Sequence, residues 1–174
     1  TGILTAHMDS VPMIILCGQT NTDNLGMDAF QEADVSGISY PVVKHSYLVR
    51  DARQMPRILE EAFFLAESGR PGPVLVDLPK DVQNWSGVFQ GGGLLPVRGY
   101  RKRMRAVEDK RLGEESCRVF FDMLQASKRP LIYAGGGVIN GNAAEALREF
   151  AHQFQIPVTT TLMGIGAFDT TEPL

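Results

Sequence analysis

At 174 residues, with 44% hydrophobic and 21% charged residues, the chain has the composition of a folded globular protein with room for one or two domains. A net charge of −3 is too small to mark a nucleic-acid or other polyanion partner. No apolar run approaches the roughly 20 residues that cross a bilayer, so neither a nucleic-acid nor a membrane role is expected. Two cysteines, Cys17 and Cys117, fall in apolar stretches and read as buried, reduced thiols, as in a cytoplasmic or organellar protein. The chain opens on Thr1 without a signal peptide and stops at Leu174 just after a strand-like run, so it reads as an internal piece of a longer chain.

Residues 2–8 resemble the end of a helix. Residues 12–17, Pro12-Met13-Ile14-Ile15-Leu16-Cys17, form an uninterrupted apolar run ended by Gly18, the pattern of a parallel strand buried on both faces. A polar loop over 19–26 follows, then a short helix expected over 29–35 with Asp28 as its cap. Val42, Val43, Tyr47, Leu48 and Val49 predict a strand over 42–49. Asp51 is placed to cap a helix running to Glu67, with Ile58, Leu59, Ala62, Phe63 and Ala66 as its inner stripe. Gly69 occupies the position of a left-handed C-terminal cap. Residues 74–78 are a further apolar strand closed by Pro79. Strand, helix and strand with short joints predict an α/β fold of parallel sheets with helices on both faces.

The composition changes after Asp81. Residues 86–110 carry Gly91-Gly92-Gly93, Pro96 and the basic cluster Arg98, Arg101, Lys102, Arg103 and Arg105, without a sustained apolar period. This stretch reads as a solvated linker, since no aromatic platform accompanies the charges. It separates a first domain, 1–85, from a second, 111–174. The second begins with a helix over 114–126 whose inner face is Val119, Phe120, Met123 and Leu124. A strand over 130–134 runs into Gly135-Gly136-Gly137, Asn142 caps a helix to Phe154, and 157–162 is the next strand.

Several residues stand where strand ends meet a crevice. A glycine triplet after a strand lets a phosphate or sugar approach the backbone, although a tight turn explains it equally well. It is no dinucleotide fingerprint, because the helix is expected to start later and no G-x-G-x-x-G follows. The neighbouring strand ends in Thr161-Leu162-Met163-Gly164, which also favours a crevice. Pro71 and Pro73 hold Arg70 in an extended segment, facing an anion or a flat ring, or capping the carbonyls of a helix end. Lys44, His45 and Lys80 either recognise a carboxylate or are ordinary surface residues. His7, His45 and His152 lack ligand spacing and no cysteine joins them, so no protein-only metal site is expected. No G-x-S-x-G elbow is present.

Six motifs in order carry a specific resemblance. They are Asp9-Ser10-Val11-Pro12 with Gly18-Gln19, Asp28-Ala29-Phe30-Gln31-Glu32, Ser68-Gly69-Arg70-Pro71-Gly72-Pro73, Pro79-Lys80-Asp81, Tyr133-Ala134-Gly135-Gly136-Gly137 and Thr161-Leu162-Met163-Gly164. Together they resemble the catalytic large subunit of the acetolactate synthase (acetohydroxyacid synthase) family of thiamine-diphosphate enzymes. The resemblance implies that 1–85 is the latter half of a pyrimidine-binding domain and 111–174 the first part of a central FAD-binding domain. It implies that Gln31 approaches thiamine diphosphate, that Gln19 is the active-site glutamine after the first strand, and that Phe30 lines the substrate path. Lys44, Arg70 and Lys80 match positions along the substrate channel, while Ser10, Arg70, Gly136, Thr161 and Leu162 match FAD contacts.

The implied reaction decarboxylates pyruvate on thiamine diphosphate. It then condenses the hydroxyethyl unit with pyruvate or 2-ketobutyrate, giving 2-acetolactate or 2-aceto-2-hydroxybutyrate in branched-chain amino-acid synthesis. FAD is structural in this family. The catalytic glutamate is expected upstream of Thr1, and the ligands of Mg2+ downstream of Leu174, so the isolated chain is expected to be inactive. The family also implies a homodimer or homotetramer, with or without a small regulatory subunit, acting on small 2-ketoacids. The loop Asn21-Thr22-Asp23-Asn24-Leu25-Gly26 departs from the family pattern and leaves acceptor preference open. Another FAD-bearing thiamine-diphosphate enzyme, such as glyoxylate carboligase or pyruvate oxidase, and a non-catalytic paralogue are the alternatives.

Overall fold

In the computed structural model, residues 1–88, 102 and 112–171 are described. Most of the expected linker, 89–101 and 103–110, lies outside them, as does its basic cluster apart from Lys102. The chain is α/β and divides into two units, Thr1–Lys110 and Arg111–Leu174.

In the first unit three parallel strands, β1 (Met13–Gln19), β2 (His45–Leu48) and β3 (Pro73–Pro79), pair in the order β1-β3-β2. The central position belongs to β3, and there Val74, Leu75 and Val76 are fully buried. A continuous apolar run suits a strand covered on both faces. The expectation of a two-face burial for β1 is corrected: it is an edge among the described strands, and Leu16 is 59% exposed. Likewise β2 is shorter than the expected 42–49, because Tyr40–Val42 with Pro41 forms a 3-10 turn before it.

Helix α1 (Gly2–Met8) precedes β1, and α2 (Val35–Ser39) precedes β2. Asp51 caps a 3-10 turn by accepting from the Arg53 N–H, and α3 (Met55–Glu67) starts directly behind it with Pro56 in its first turn. Ile58, Ala62 and Ala66 pack with Val49, Val74, Val76 and Val82 into the core of this unit. Phe63 does not join the stripe, being 57% exposed, whereas Glu61 is buried. Its carboxylate is compensated by the Tyr47 hydroxyl, which donates at 3.2 Å, and by Arg57 at 2.7 Å. Burial beside that carboxylate drives the Tyr47 phenol well above its ordinary pKa. Gly69 adopts φ 63°, the left-handed conformation expected of it. The short helix α4 (Lys80–Gln83) follows β3 at once.

The second unit holds α5 (Glu114–Ala126), β4 (Ile132–Ala134), α6 (Gly136–Asn140), α7 (Ala144–Phe154) and β5 (Val158–Thr160). Strands β4 and β5 are parallel, with Ile132, Tyr133 and Ala134 opposite Val158, Thr159 and Thr160. Helix α5 meets α7 through phenylalanines: Phe120 lies 6.0 Å from Phe150 and Phe121 5.7 Å from Phe154 between ring centres. The expected inner face is thus corrected, since Val119 and Met123 are exposed. Asn142 is not the cap of α7; Ala143 holds that position and Asn142 has a left-handed φ of 51°. Both cysteines are free and only half-buried. No helix among the described residues is long and apolar enough to cross a membrane.

Candidate functional site

The carboxyl ends of β1 and β3 lie side by side, Gly18 opposite Leu78 and Gln19 opposite Pro79. Beyond them opens a cleft of about 600 Å³ lined by Gln19, Asn21, Phe30, Gln31, Lys80 and Gln83 among others. Crevices outside the carboxyl ends of parallel strands are where α/β folds take ligands. Four residues singled out from sequence, Gln19, Phe30, Gln31 and Lys80, therefore converge here although they are scattered over the chain. Phe30 presents an open ring, 89% exposed.

The cleft wall from Thr20 to Asp34 is not the expected helix over 29–35. It is a chain of turns, and α2 starts only at Val35, where the Asp34 carboxylate accepts from Gly37 N–H at 2.8 Å. Asp28 is no helix cap: it and Gln31 take left-handed φ values of 53° and 62°. What overrides the helical tendency is Glu32. Its carboxylate accepts from the N–H groups of Gly26, Met27 and Ala29, closing the loop on itself. These bonds, Gly26 first and Ala29 next, hold the Glu32 carboxyl below the ordinary value of 4.5. On the other side, Asp81 accepts from both the N–H and the hydroxyl of Thr22, which lowers its pKa too.

Gln19 is the third tie. Its amide nitrogen donates to Ala33 carbonyl at 2.7 Å and to Asp77 Oδ2 at 3.1 Å, while Oε1 accepts from Thr20 N–H at 2.9 Å. Both ends of this side chain are thus committed to the protein itself. Asp77 is 2% exposed, and burial pushes its carboxyl up despite the hydrogen bonds from Gln19 and the Leu78 N–H. Burial, then the nearby Asp77 charge, raise the Cys17 thiol as well.

The other sequence-derived candidates of this unit lie outside the cleft lining. Arg70 donates to Ser10 Oγ and to Met8 carbonyl, both at 2.8 Å, so Ser10 and Arg70 do meet, at the end of α1. Lys44 donates to the carbonyls of Leu65 and Ser68 at the end of α3, and burial lowers its pKa. Both cations sit where the negative end of a helix favours them. Sequence reasoning passed over Glu32, Asp77 and Asp81 as individual residues. The available signal was Asp77, a lone acid inside the apolar strand Val74-Leu75-Val76-Asp77-Leu78.

In the second unit the strand-end turns interlock. α6 begins at Gly136, directly within the glycine triplet rather than later. A Cβ on Gly136 would stand 3.0 Å from Met163, and one on Gly164 only 2.5 Å from the Ala134 carbonyl oxygen. Thr161 Oγ1 accepts from Gly164 N–H at 3.1 Å. By contrast, Gly137 has open space beside its α-carbon, and Leu162 is 81% exposed. Gly136 is therefore closely packed against Met163, while Gly137 and Leu162 leave an approachable surface.

Comparison with known proteins bears directly on this arrangement. Residues 118–174 match the family profile described as thiamine pyrophosphate enzyme, central domain. Over 100% of its length the chain is 46% identical to acetolactate synthase of Arthrospira platensis, covering 29% of that protein. It is 44% identical to the acetolactate synthase large subunit of Parasynechococcus marenigrum, over 100% of the chain and 28% of the relative. For the large subunit of Haemophilus influenzae the identity is 41%, over 99% and 29%. Along its whole length the chain is similar to acetolactate synthase large subunits. It spans under a third of the length of these acetolactate synthase relatives.

The residues present can be tested against the cofactors of the acetolactate synthase family. The cleft offers a phenyl ring, amides and one ammonium around an open volume of about 600 Å³, which fits one wall of a thiamine diphosphate site. The open Gly137 edge with exposed Leu162 fits a ligand passing along the α6 turn, as FAD would. Among the described residues no three His, Cys, Asp or Glu side chains converge as a metal group.

Loop order here should depend on ionisation. Glu32 has a folded pKa below its unfolded value, so its bonds are complete above about pH 4.5 and are lost as pH falls through the folded value. The amide resonances of Gly26 and Ala29 should shift together in that window. In Glu32→Gln they should already sit at the loosened position at pH 7; unmoved resonances would contradict the tie.

Proposed function

We propose that the protein carrying this chain is an acetolactate synthase. In this reading it decarboxylates pyruvate and joins the two-carbon unit to pyruvate or 2-ketobutyrate. The supporting observation is similarity to acetolactate synthase large subunits along the whole chain, at 41–46% identity. Thiamine diphosphate, when bound, supplies the electron sink for decarboxylation. Gln31 and Phe30 belong to the wall that orients it and the ketoacid. Gln19 holds that wall through Ala33 rather than reaching for substrate, since its amide is already committed on both sides. Lys80 supplies a positive charge at the cleft for the carboxylate of a 2-ketoacid. Arg70 and Lys44 act through the ends of α1 and α3, which they fix.

FAD is proposed as a second, structural cofactor resting in part on Gly136, Thr161 and Leu162. Magnesium is proposed to be bound by residues other than those described. A homodimer or homotetramer, with or without a small regulatory subunit, follows from the same family reading.

The test is product analysis of the full-length protein with pyruvate, thiamine diphosphate and magnesium. Acetolactate is the expected product; carbon dioxide with peroxide and no acetolactate would mark an oxidase instead. In the same protein Gln31→Ala should weaken half-saturation by thiamine diphosphate by about tenfold, the scale of one well-placed hydrogen bond. Unchanged kinetics would remove Gln31 from the site.

A further inference from the structure

We propose that Asp77 is a positioning residue for the cleft: through Gln19 it fixes the turn that carries Phe30 and Gln31. The chain of contacts is continuous. Asp77 Oδ2 accepts from Gln19 Nε2 at 3.1 Å, in a bond that is itself buried. The same amide nitrogen donates to Ala33 carbonyl at 2.7 Å, and Gln19 Oε1 accepts from Thr20 N–H at 2.9 Å. Thr20 and Ala33 are the two ends of the turn segment. One side chain therefore spans its mouth, and one buried carboxylate holds that side chain in its rotamer.

Asp77 has no other evident structural duty. It sits on the central strand, where an apolar residue would cover the sheet at lower cost, and its Oδ1 is buried without a hydrogen-bond partner. An acid retained in such a place either supplies a directed bond or is a burden. Only Gln19 and the Leu78 N–H answer it among the described groups. Without Asp77 the amide would keep the Ala33 carbonyl and the Thr20 N–H, but one of its two N–H donors would lose its acceptor in a buried place. Two acceptors on one NH2 group fix its plane. The groups facing Asp77 are Gln19 and Cys17 on β1 and Asp34 at the start of α2, so the carboxylate is surrounded by neutral or acidic neighbours.

This inference builds on the cleft as the thiamine diphosphate site, but its first readout does not need that cofactor. Hydrogen exchange is measured on the full-length protein at the amides of Gly26, Met27 and Ala29, which are bonded to Glu32, and of Val35, which is bonded to the Ala33 carbonyl. Asp77→Ala should speed their exchange by about tenfold, the loss of one buried hydrogen bond, while amides of β4 and β5 keep wild-type rates. Asp77→Asn retains an acceptor of the same shape and should restore protection to within about twofold. Should Asp77→Ala fail to fold, Gln19→Met removes the same link from the other side and should open the same amides. Protection unchanged in a folded Asp77→Ala, or in Gln19→Met where Asp77→Ala does not fold, would overturn the proposal, as would an Asn variant as open as the Ala variant. Thiamine diphosphate titration then separates the two readings. Faster exchange with unaltered cofactor affinity keeps Asp77 as the positioning residue and removes the cleft from cofactor binding; faster exchange with weakened affinity upholds both.

Discussion

Leu75→Ala should lower the unfolding free energy of the first unit by about 2–5 kcal/mol, the range for emptying a well-packed leucine site. Leu75 is fully buried on the central strand, opposite Ile15 of β1 and Ser46 of β2. Its neighbours Val74 and Val76 face the α3 core, so Leu75 alternates to the other face together with Asp77. Helices α1 and α2 both lie against β3, and they cannot close a leucine-sized void without moving the strand. The cost should therefore sit at the upper part of the range. Urea unfolding followed by Trp85, the chain's single tryptophan, reports this unit. A midpoint shift equivalent to under 1 kcal/mol would mean that β3 is not the packing centre.

Gly164→Ala should destabilise the second unit by about 2–3 kcal/mol through overpacking. The added methyl would stand 2.5 Å from Ala134 carbonyl oxygen, which is main chain and cannot rotate away. That oxygen also accepts from Thr161 N–H at 2.9 Å, so relieving the clash breaks the bond joining the two strand-end turns. Gly137→Ala is the control. It meets nothing within 4 Å and should be neutral or stabilising by up to about 1 kcal/mol, since alanine favours helix over glycine. Thermal unfolding read by far-ultraviolet circular dichroism distinguishes the pair; equal effects would show that flexibility, rather than close approach, selects glycine at 164.

The architecture was legible because strand burial leaves a compositional mark. Residues 74–78 read as an apolar strand and became the covered centre of the sheet, whereas 12–17, expected to be covered, became an edge; the start and end of α5 fell at 114 and 126. Periodicity was less informative about what each face meets. Phe63 lies at the right spacing for the α3 core yet is exposed, while Glu61 is buried because Tyr47 and Arg57 supply its partners from other turns and strands. The helix expected over 29–35 is turns up to Asp34 for a related reason. Local propensity cannot register a carboxylate three residues on that collects three backbone N–H groups. Gln19, Phe30, Gln31 and Lys80 could be named one by one, but their convergence depends on the β1–β3 register, a contact between residues 60 positions apart. The role of Asp77 was hidden in the same way.

The ties of Glu32 and Gln19 fasten mainly onto backbone groups, and so does one of the two bonds from Asp81. Every amino acid except proline offers the same N–H, so such an anchorage is indifferent to most side chains strung between its posts. Asn21, Asp23 and Asn24 are exposed and donate no backbone N–H to these three side chains, which leaves their identity open to exchange at little cost to the scaffold. A rim built in this fashion can change its outward side chains, Asn21 in the cleft lining among them, while its frame stays in place.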